Sequence, residues 1–408
     1  MEEERLGTGT EYGMREQNIN FDEVIDRTNT DCLKYDFAVR RGKPADVLPL
    51  WVADMDFKTS SLVLDEIHRR VDHGIFGYTE SGDSYFRAVY DWLLSHHGLE
   101  IQQEWLVKTP GVVFALAMAV RSCTDEGDAI LIQRPVYYPF MEVIEDNRRR
   151  VVSSDLVLCD DGKYHIDFVD FEQKIVENGV KVFLFCSPHN PVGRVWTEEE
   201  LRRITDICLK HHVYIVSDEI HGDFVYEGYK HIPLLTLDER LKEISITCTS
   251  PAKTFNITGL QISNILIPDP KLRLAFCRQI AATGYSQLNT MGIVAGEAAY
   301  RYGEEWYRAL QVYLKENLDY VRAFLQREIP QIKLIEPEGT YLVWLDFRAL
   351  GLSEQELEDL IVNKAKLWLD SGAIFGPVGE GFERINIATS RCILTEALNR
   401  IRETINAG

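Results

Sequence analysis

The chain has 408 residues, 45% of them hydrophobic, enough to fill the core of one large α/β unit or two domains, and it carries a formal net charge of −20. That charge repels phosphate backbones and anionic lipid, and no local basic patch offsets it, so no nucleic acid and no membrane is expected as a partner, and a small molecule is. The N-terminal MEEERLGTGTEYGMREQ lacks the basic and apolar regions of a secretory signal, and no apolar run approaches the length of a membrane span, which points to a cytoplasmic protein.

The first sixty residues contain an apolar and acidic segment, Leu48 to Phe57 (LPLWVADMDF), in which Asp54 and Asp56 flank Met55. Two carboxylates at this spacing suit a loop held by side-chain hydrogen bonds better than a metal site, and no metal is expected. A helix is predicted from Ser60 to Asp72, then a glycine-punctuated loop from Phe76 to Asp83 that presents Tyr78, then a helix from Ser84 to His96. From Glu104 a short strand runs into a break at Pro110 and Gly111, and an apolar helix begins near Val112. The free N–H groups and positive dipole end of such a helix start suit a phosphate.

Four apolar strands follow at wide spacing, as a mostly parallel sheet requires. Ala129 to Gln133 exits into Tyr137 and Tyr138, Lys181 to Cys186 into Asn190, Val213 to Ser217 into Asp218 and His221, and the strand that ends at Thr249 into Ser250 and Lys253. A tyrosine, an asparagine, an aspartate and a lysine are thereby placed along one edge of one sheet, where open α/β sheets bind their ligands. Trp306, Leu310, Leu314, Leu318, Val321 and Leu325 then mark one apolar face of a long helix. Beyond it, strands are predicted at Glu338 to Asp346 and Gly381 to Thr389, the latter carrying Arg384, with helices at Ser353 to Leu369 and Leu394 to Ile405. The eight cysteines show no C-x-x-C pair and read as buried free thiols.

A lysine able to form a Schiff base, an acid, an amide, an aromatic face and an anion-binding helix start are together what pyridoxal 5'-phosphate requires. Lys253, partly desolvated, is the amine nucleophile, and Asp218 pairs with the ring nitrogen. Asn190 donates to the ring oxygen, and Tyr137 covers one ring face. The phosphate sits on the Gly111, Val112 and Val113 amides with the Ser250 hydroxyl. Arg384 clamps a substrate carboxylate with paired hydrogen bonds.

At SPHNPVGR (Ser187 to Arg194), SDEIH (Ser217 to His221), SPAKTFNITGLQ (Ser250 to Gln261) and FERINIA (Phe382 to Ala388) the chain resembles the fold-type I pyridoxal-phosphate enzymes of aminotransferase class I/II. The resemblance spans nearly the whole chain. It implies an α/β fold with a large cofactor-binding domain at 58–290, built on a mostly parallel mixed sheet, and a smaller α/β domain formed by 1–57 with 291–408. It also implies a homodimer in which Tyr78 reaches the phosphate of the neighbouring site. WVADMDF, FGYT, PVYYPF and the DEIH segment look most like the cystathionine β-lyase branch of the MalY/PatB type.

A carbon–sulfur β-lyase is therefore expected, with Lys253 as the base at Cα and an amino-acid thioether as the substrate; the alternatives are an aminotransferase and a regulator that binds a transcription factor. Many transaminases of this class carry a tyrosine where His221 stands. A histidine there titrates near neutral pH and could move a proton, although a structural histidine with its hydrogen bonds satisfied is the simpler expectation.

Overall fold

Seven runs of the chain pair into one sheet, as seen in a computed structural model that describes residues 19–407. They are β1 (Leu106–Thr109), β2 (Ala129–Ile132), β3 (Arg150–Ser153), β4 (Val182–Cys186), β5 (Tyr214–Asp218), β6 (Ser245–Thr249) and β7 (Ser263–Leu266). Their spatial order is β1-β7-β6-β5-β4-β2-β3. Only β7 runs against its neighbours, and the other pairs are parallel.

Both faces of this sheet are covered, which is why its central strands show no polar alternation. Phe183, Phe185 and Ile215 pack on one face with Trp196 and Ile204, whereas Val182, Leu184 and Val216 pack on the other with Leu116, Val120 and Phe276. The period of two that alternates these side chains also fixes the register. Cys186 lies opposite Asp218, and Asp218 opposite Cys248, so the carboxyl ends of β4, β5 and β6 are level. Whatever follows those strands must converge.

A second sheet uses β8 (Lys333–Ile335), β9 (Leu342–Asp346), β10 (Asp370–Ser371) and β11 (Phe382–Asn386), in the antiparallel order β8-β9-β11-β10. The helix Glu304–Glu328 precedes it and buries Trp306, Leu310, Leu314, Leu318, Val321 and Leu325, the predicted apolar face. The predicted helices near Ser60 and Ser84 are observed as Ser61–His73 and Asp83–His97.

Three expectations need correction. The helix expected over Ser353 to Leu369 is α-helical only at Glu354–Glu358, widens into a π turn at Asp359–Lys364, and gives way to a strand at Leu367–Trp368. Lys366 adopts a positive φ of 55°, and Leu367–Trp368 pairs in parallel with Leu48–Pro49, so tertiary pairing overrides the helical pattern. The strand expected from Glu338 starts only at Leu342. Its first residues turn away to donate from Glu338 N to the Gly193 carbonyl and from Thr340 N to the Phe224 carbonyl. Finally, all eight cysteines are free but only Cys186, Cys208 and Cys248 are buried, while Cys159 and Cys392 are exposed.

Among the described residues no helix is long and apolar enough to cross a membrane, and no group of three or more His, Cys, Asp or Glu could hold a metal ion. The N-terminal stretch read for a secretory signal lies outside the described residues.

Candidate active site

The level strand ends open onto a cavity with about 780 Å³ of space, open solvent at its mouth included. Its wall includes Gly111, Val112, Val113, Tyr137, Asn190, Asp218, His221 and Lys253, so eight of the residues singled out from sequence meet at one place. Lys253 is held in a single helical turn, Pro251–Thr254, which Ser250 caps by accepting the Ala252 N–H at 3.0 Å. A lysine there is braced, where a loop would leave it mobile.

The charges in this cavity are perturbed in opposite directions. Enclosure lowers the Lys253 amine to about 8, with the Asp54 charge opposing the shift and Arg384 adding to it. Burial raises the Asp218 carboxyl to about 7, although the Ile220 N–H donates to its Oδ1 at 3.1 Å. Burial also lowers His221 to about 3, helped by the Lys253 and Arg384 charges. The imidazole is therefore neutral, and its Nδ1 is buried with no partner among the described residues. The expectation of a satisfied structural histidine is overturned: His221 lines the cavity, with its ring edge-on to Tyr341 at 5.8 Å.

Asn190 and Tyr137 are tied together, because the Tyr137 N–H donates to the Asn190 carbonyl at 3.0 Å. The Asn190 Oδ1 accepts from Arg384 Nη1 at 2.8 Å, which leaves its side-chain amino group as the end able to donate a hydrogen bond to a ligand. Arg384 is 2% exposed; its Nη2 also donates to the Trp51 carbonyl at 3.0 Å and pairs with Asp370, and its Nε has no partner among the described residues. At the other end, the helix Val112–Cys123 begins with no side-chain cap. A Cβ on Gly111 would meet nothing within 4 Å, and Gly111, Val112 and Val113 all line the cavity.

These features fit pyridoxal phosphate: an uncapped helix start for the phosphate, a carboxyl raised by burial, an unpaired imidazole nitrogen and an amine of lowered basicity. Three predicted residues are not part of the wall: Arg384 stands behind it and reaches it through Asn190, and Ser250 and Tyr78 stand apart. Ser250 caps its helix turn and donates from Oγ to the Ile262 carbonyl at 2.6 Å, off the cavity wall. Tyr78 is 95% exposed and lies in a separate groove with Phe76, Thr79 and Tyr285.

The loop Trp51 to Phe57, read from sequence only as a hydrogen-bonded turn, closes over this site. Arg27 bonds Asp54 at 2.6 Å and Asp56 at 2.8 Å, and buried Lys34 bonds Asp56 at 2.8 Å. Asn386 donates to the Val52 and Asp54 carbonyls at 2.8 and 2.7 Å. Held in this way, the Ala53 carbonyl accepts from Lys253 Nζ at 2.6 Å and from the Tyr341 hydroxyl at 3.0 Å. Sequence reasoning missed Ala53, Tyr341 and Asp370. A carbonyl leaves no residue signature, and Asp370, opposite Arg384, lies on a two-residue strand outside both of the strands predicted near the C-terminus.

The family model described as aminotransferase class I and II matches residues 45–401, and the chain belongs to that family. Cystathionine beta-lyase PatB of Bacillus subtilis (strain 168) is 42% identical over 388 residues, covering 95% of this chain and 100% of the relative. Two solved structures superpose closely. A PLP-bound protein of Clostridium difficile 630 has a TM-score of 0.93 at 42% identity, covering 95% of this chain and 100% of that one. Cystalysin from Treponema denticola, which contains a pyridoxal 5'-phosphate cofactor, has a TM-score of 0.92 at 38% identity, covering 95% and 99%. The architecture is the fold type I that the motifs implied.

Proposed function

We propose that this chain is a pyridoxal-phosphate-dependent carbon–sulfur β-lyase that cleaves L-cystathionine or a related cysteine thioether to a thiol, pyruvate and ammonia. The observation that carries it is the convergence of Lys253, Asp218, Asn190 and His221 on one cavity in a chain 42% identical over 388 residues to a cystathionine beta-lyase. When bound, the cofactor supplies an aldehyde for the substrate amine and a protonated ring that accepts the electron pair left at Cα.

The chain's own residues do the rest. Asp218 would hold the ring nitrogen protonated, since opposite charges about 4 Å apart attract by roughly 4 kcal/mol at an effective dielectric near 20. Asn190, neutral His221 and Tyr137 would hold the ring, and the amides of Gly111, Val112 and Val113 would hold the phosphate, with Ser250 bracing the turn that carries Lys253. Arg384 orients the substrate carboxylate, which places the Cα–H before Lys253. Lys253 would take that proton from Cα; the substrate's Cβ–S bond would break as the Cα–Cβ double bond forms, its electron pair leaving on sulfur as a thiolate that takes up a proton, and water would then give pyruvate and ammonia. The Ala53 carbonyl, 2.6 Å from Nζ, directs the amine while this happens.

The same reading includes a homodimer, because Ile75, Phe76 and Tyr78 are apolar and 65%, 58% and 95% exposed in a single chain. Tyr78 would complete the neighbouring phosphate site. It also includes the division into a large domain at 58–290 and a small one from 1–57 with 291–408, and a cytoplasmic location.

The test is dependence on a keto acid. A lyase turns over L-cystathionine with none present, whereas an aminotransferase stops after converting its own cofactor.

A further inference from the structure

Asp370 and Arg384 face one another across neighbouring strands, in direct register between β10 and β11. Both are nearly buried, at 5% and 2% exposure, and they are ion-paired. The guanidinium assigned above to the substrate carboxylate is thus already neutralised by a carboxylate of the chain itself. The other groups that act on Asp370 are Lys43, a cation, the phenols of Tyr137 and Tyr138, and buried Glu383, which has an unpaired Oε1. Lys43 is itself paired with Glu358. No second free cation among these groups can absorb the charge of an incoming acid.

We propose that Asp370 is a positioning and specificity residue: it holds Arg384 in line with Asn190, and it makes the binding of a carboxylate at Arg384 draw one proton into the site. Two carboxylates sharing one enclosed guanidinium cannot both stay ionised at low cost, and the one with the protein's burial around it is the one that protonates. Burial already pushes the Asp370 carboxyl above its ordinary value despite the charge of Arg384 beside it. The proton lands on an Asp370 oxygen, and Arg384 keeps its charge for the ligand. The site consequently binds a carboxylate together with one proton from solvent, and it discriminates against a dianionic group at this position.

The inference rests on the reading of Arg384 as the carboxylate clamp but not on lyase chemistry. It is tested with propionate, a carboxylate without an amine, titrated into the cofactor-loaded enzyme in weak buffer with an indicator dye. The wild-type protein is expected to take up a proton as propionate binds, with a dissociation constant that rises toward tenfold per pH unit above neutrality. Asp370→Asn is expected to bind propionate without proton uptake and with a much flatter pH dependence. Binding of propionate to the wild type without proton uptake, or no saturable binding at any pH, overturns the proposal. Pyruvate release from L-cystathionine, measured separately, continues in either case if the lyase reading holds.

Discussion

Lys253 Nζ lies 2.6 Å from the carbonyl oxygen of Ala53, a contact between residues 200 positions apart in the chain. It joins the end of the central sheet to the acidic loop that closes over it. The same carbonyl accepts the Tyr341 hydroxyl, so strand β9 is tied in as well. An amine held in this way has one donor direction fixed and its lone pair free to point into the cavity.

If Lys253 is both the attachment point and the base, Lys253→Ala abolishes the visible absorbance of bound cofactor that borohydride can trap, and turnover falls by about 10²–10⁴-fold or more. Absorption spectra before and after reduction check this. A band still trapped on another lysine would contradict it.

The lowered basicity of Lys253 makes a pH prediction. Only the neutral amine attacks an aldehyde, and its fraction rises as pH rises through about 8. Reconstitution of cofactor-stripped protein should therefore accelerate between pH 7 and 9 and then level off. An ordinary exposed lysine, with a pKa near 10.4, would keep accelerating past pH 10. Stopped-flow rates across that range decide between the two.

Asp218 carries the electronic role. Its replacement by Asn keeps shape and volume but removes a charge worth roughly 4 kcal/mol to the ring nitrogen. Asp218→Asn should retain cofactor through Lys253 and lose about two to three decades of turnover, at about 1.4 kcal/mol per decade. Turnover equal to that of the wild type would remove the aspartate from the mechanism.

Arg384 should matter to the fold as well as to substrate. Arg384→Ala leaves Asp370 buried and unpaired, which costs about 3–5 kcal/mol of stability by the general rule for broken buried ion pairs. The double variant Arg384→Ala with Asp370→Ala should regain much of that loss, because no charge is stranded. Denaturant midpoints of the three proteins test this, and equal losses in the single and double variants would contradict it.

The sequence shows the site more clearly than it shows the site's supports. Asn190, Asp218 and Lys253 follow apolar runs whose ends must be level in a parallel sheet, so their meeting can be foreseen from pattern alone. Arg384 was visible as a lone cation in a strand. Asp370 was not, because its strand has two residues and is fixed by pairing with β11 rather than by any local period. The misread helix over Ser353 to Leu369 has the same cause: Leu367 and Trp368 satisfy a helical stripe, yet they gain more by pairing with Leu48 and Pro49 and by stacking Trp368 on Trp51 at 4.3 Å. His221 was legible as a departure from the tyrosine of many transaminases, but whether its ring nitrogens find partners depends on neighbours contributed from distant segments.

The most direct test is to incubate cofactor-loaded protein with L-cystathionine and no keto acid, and to follow pyruvate and free thiol together. Equal and continuing release of both is the expected result. Release of neither, with turnover of ordinary amino acids appearing once a keto acid is added, would contradict the lyase and make the enzyme an aminotransferase.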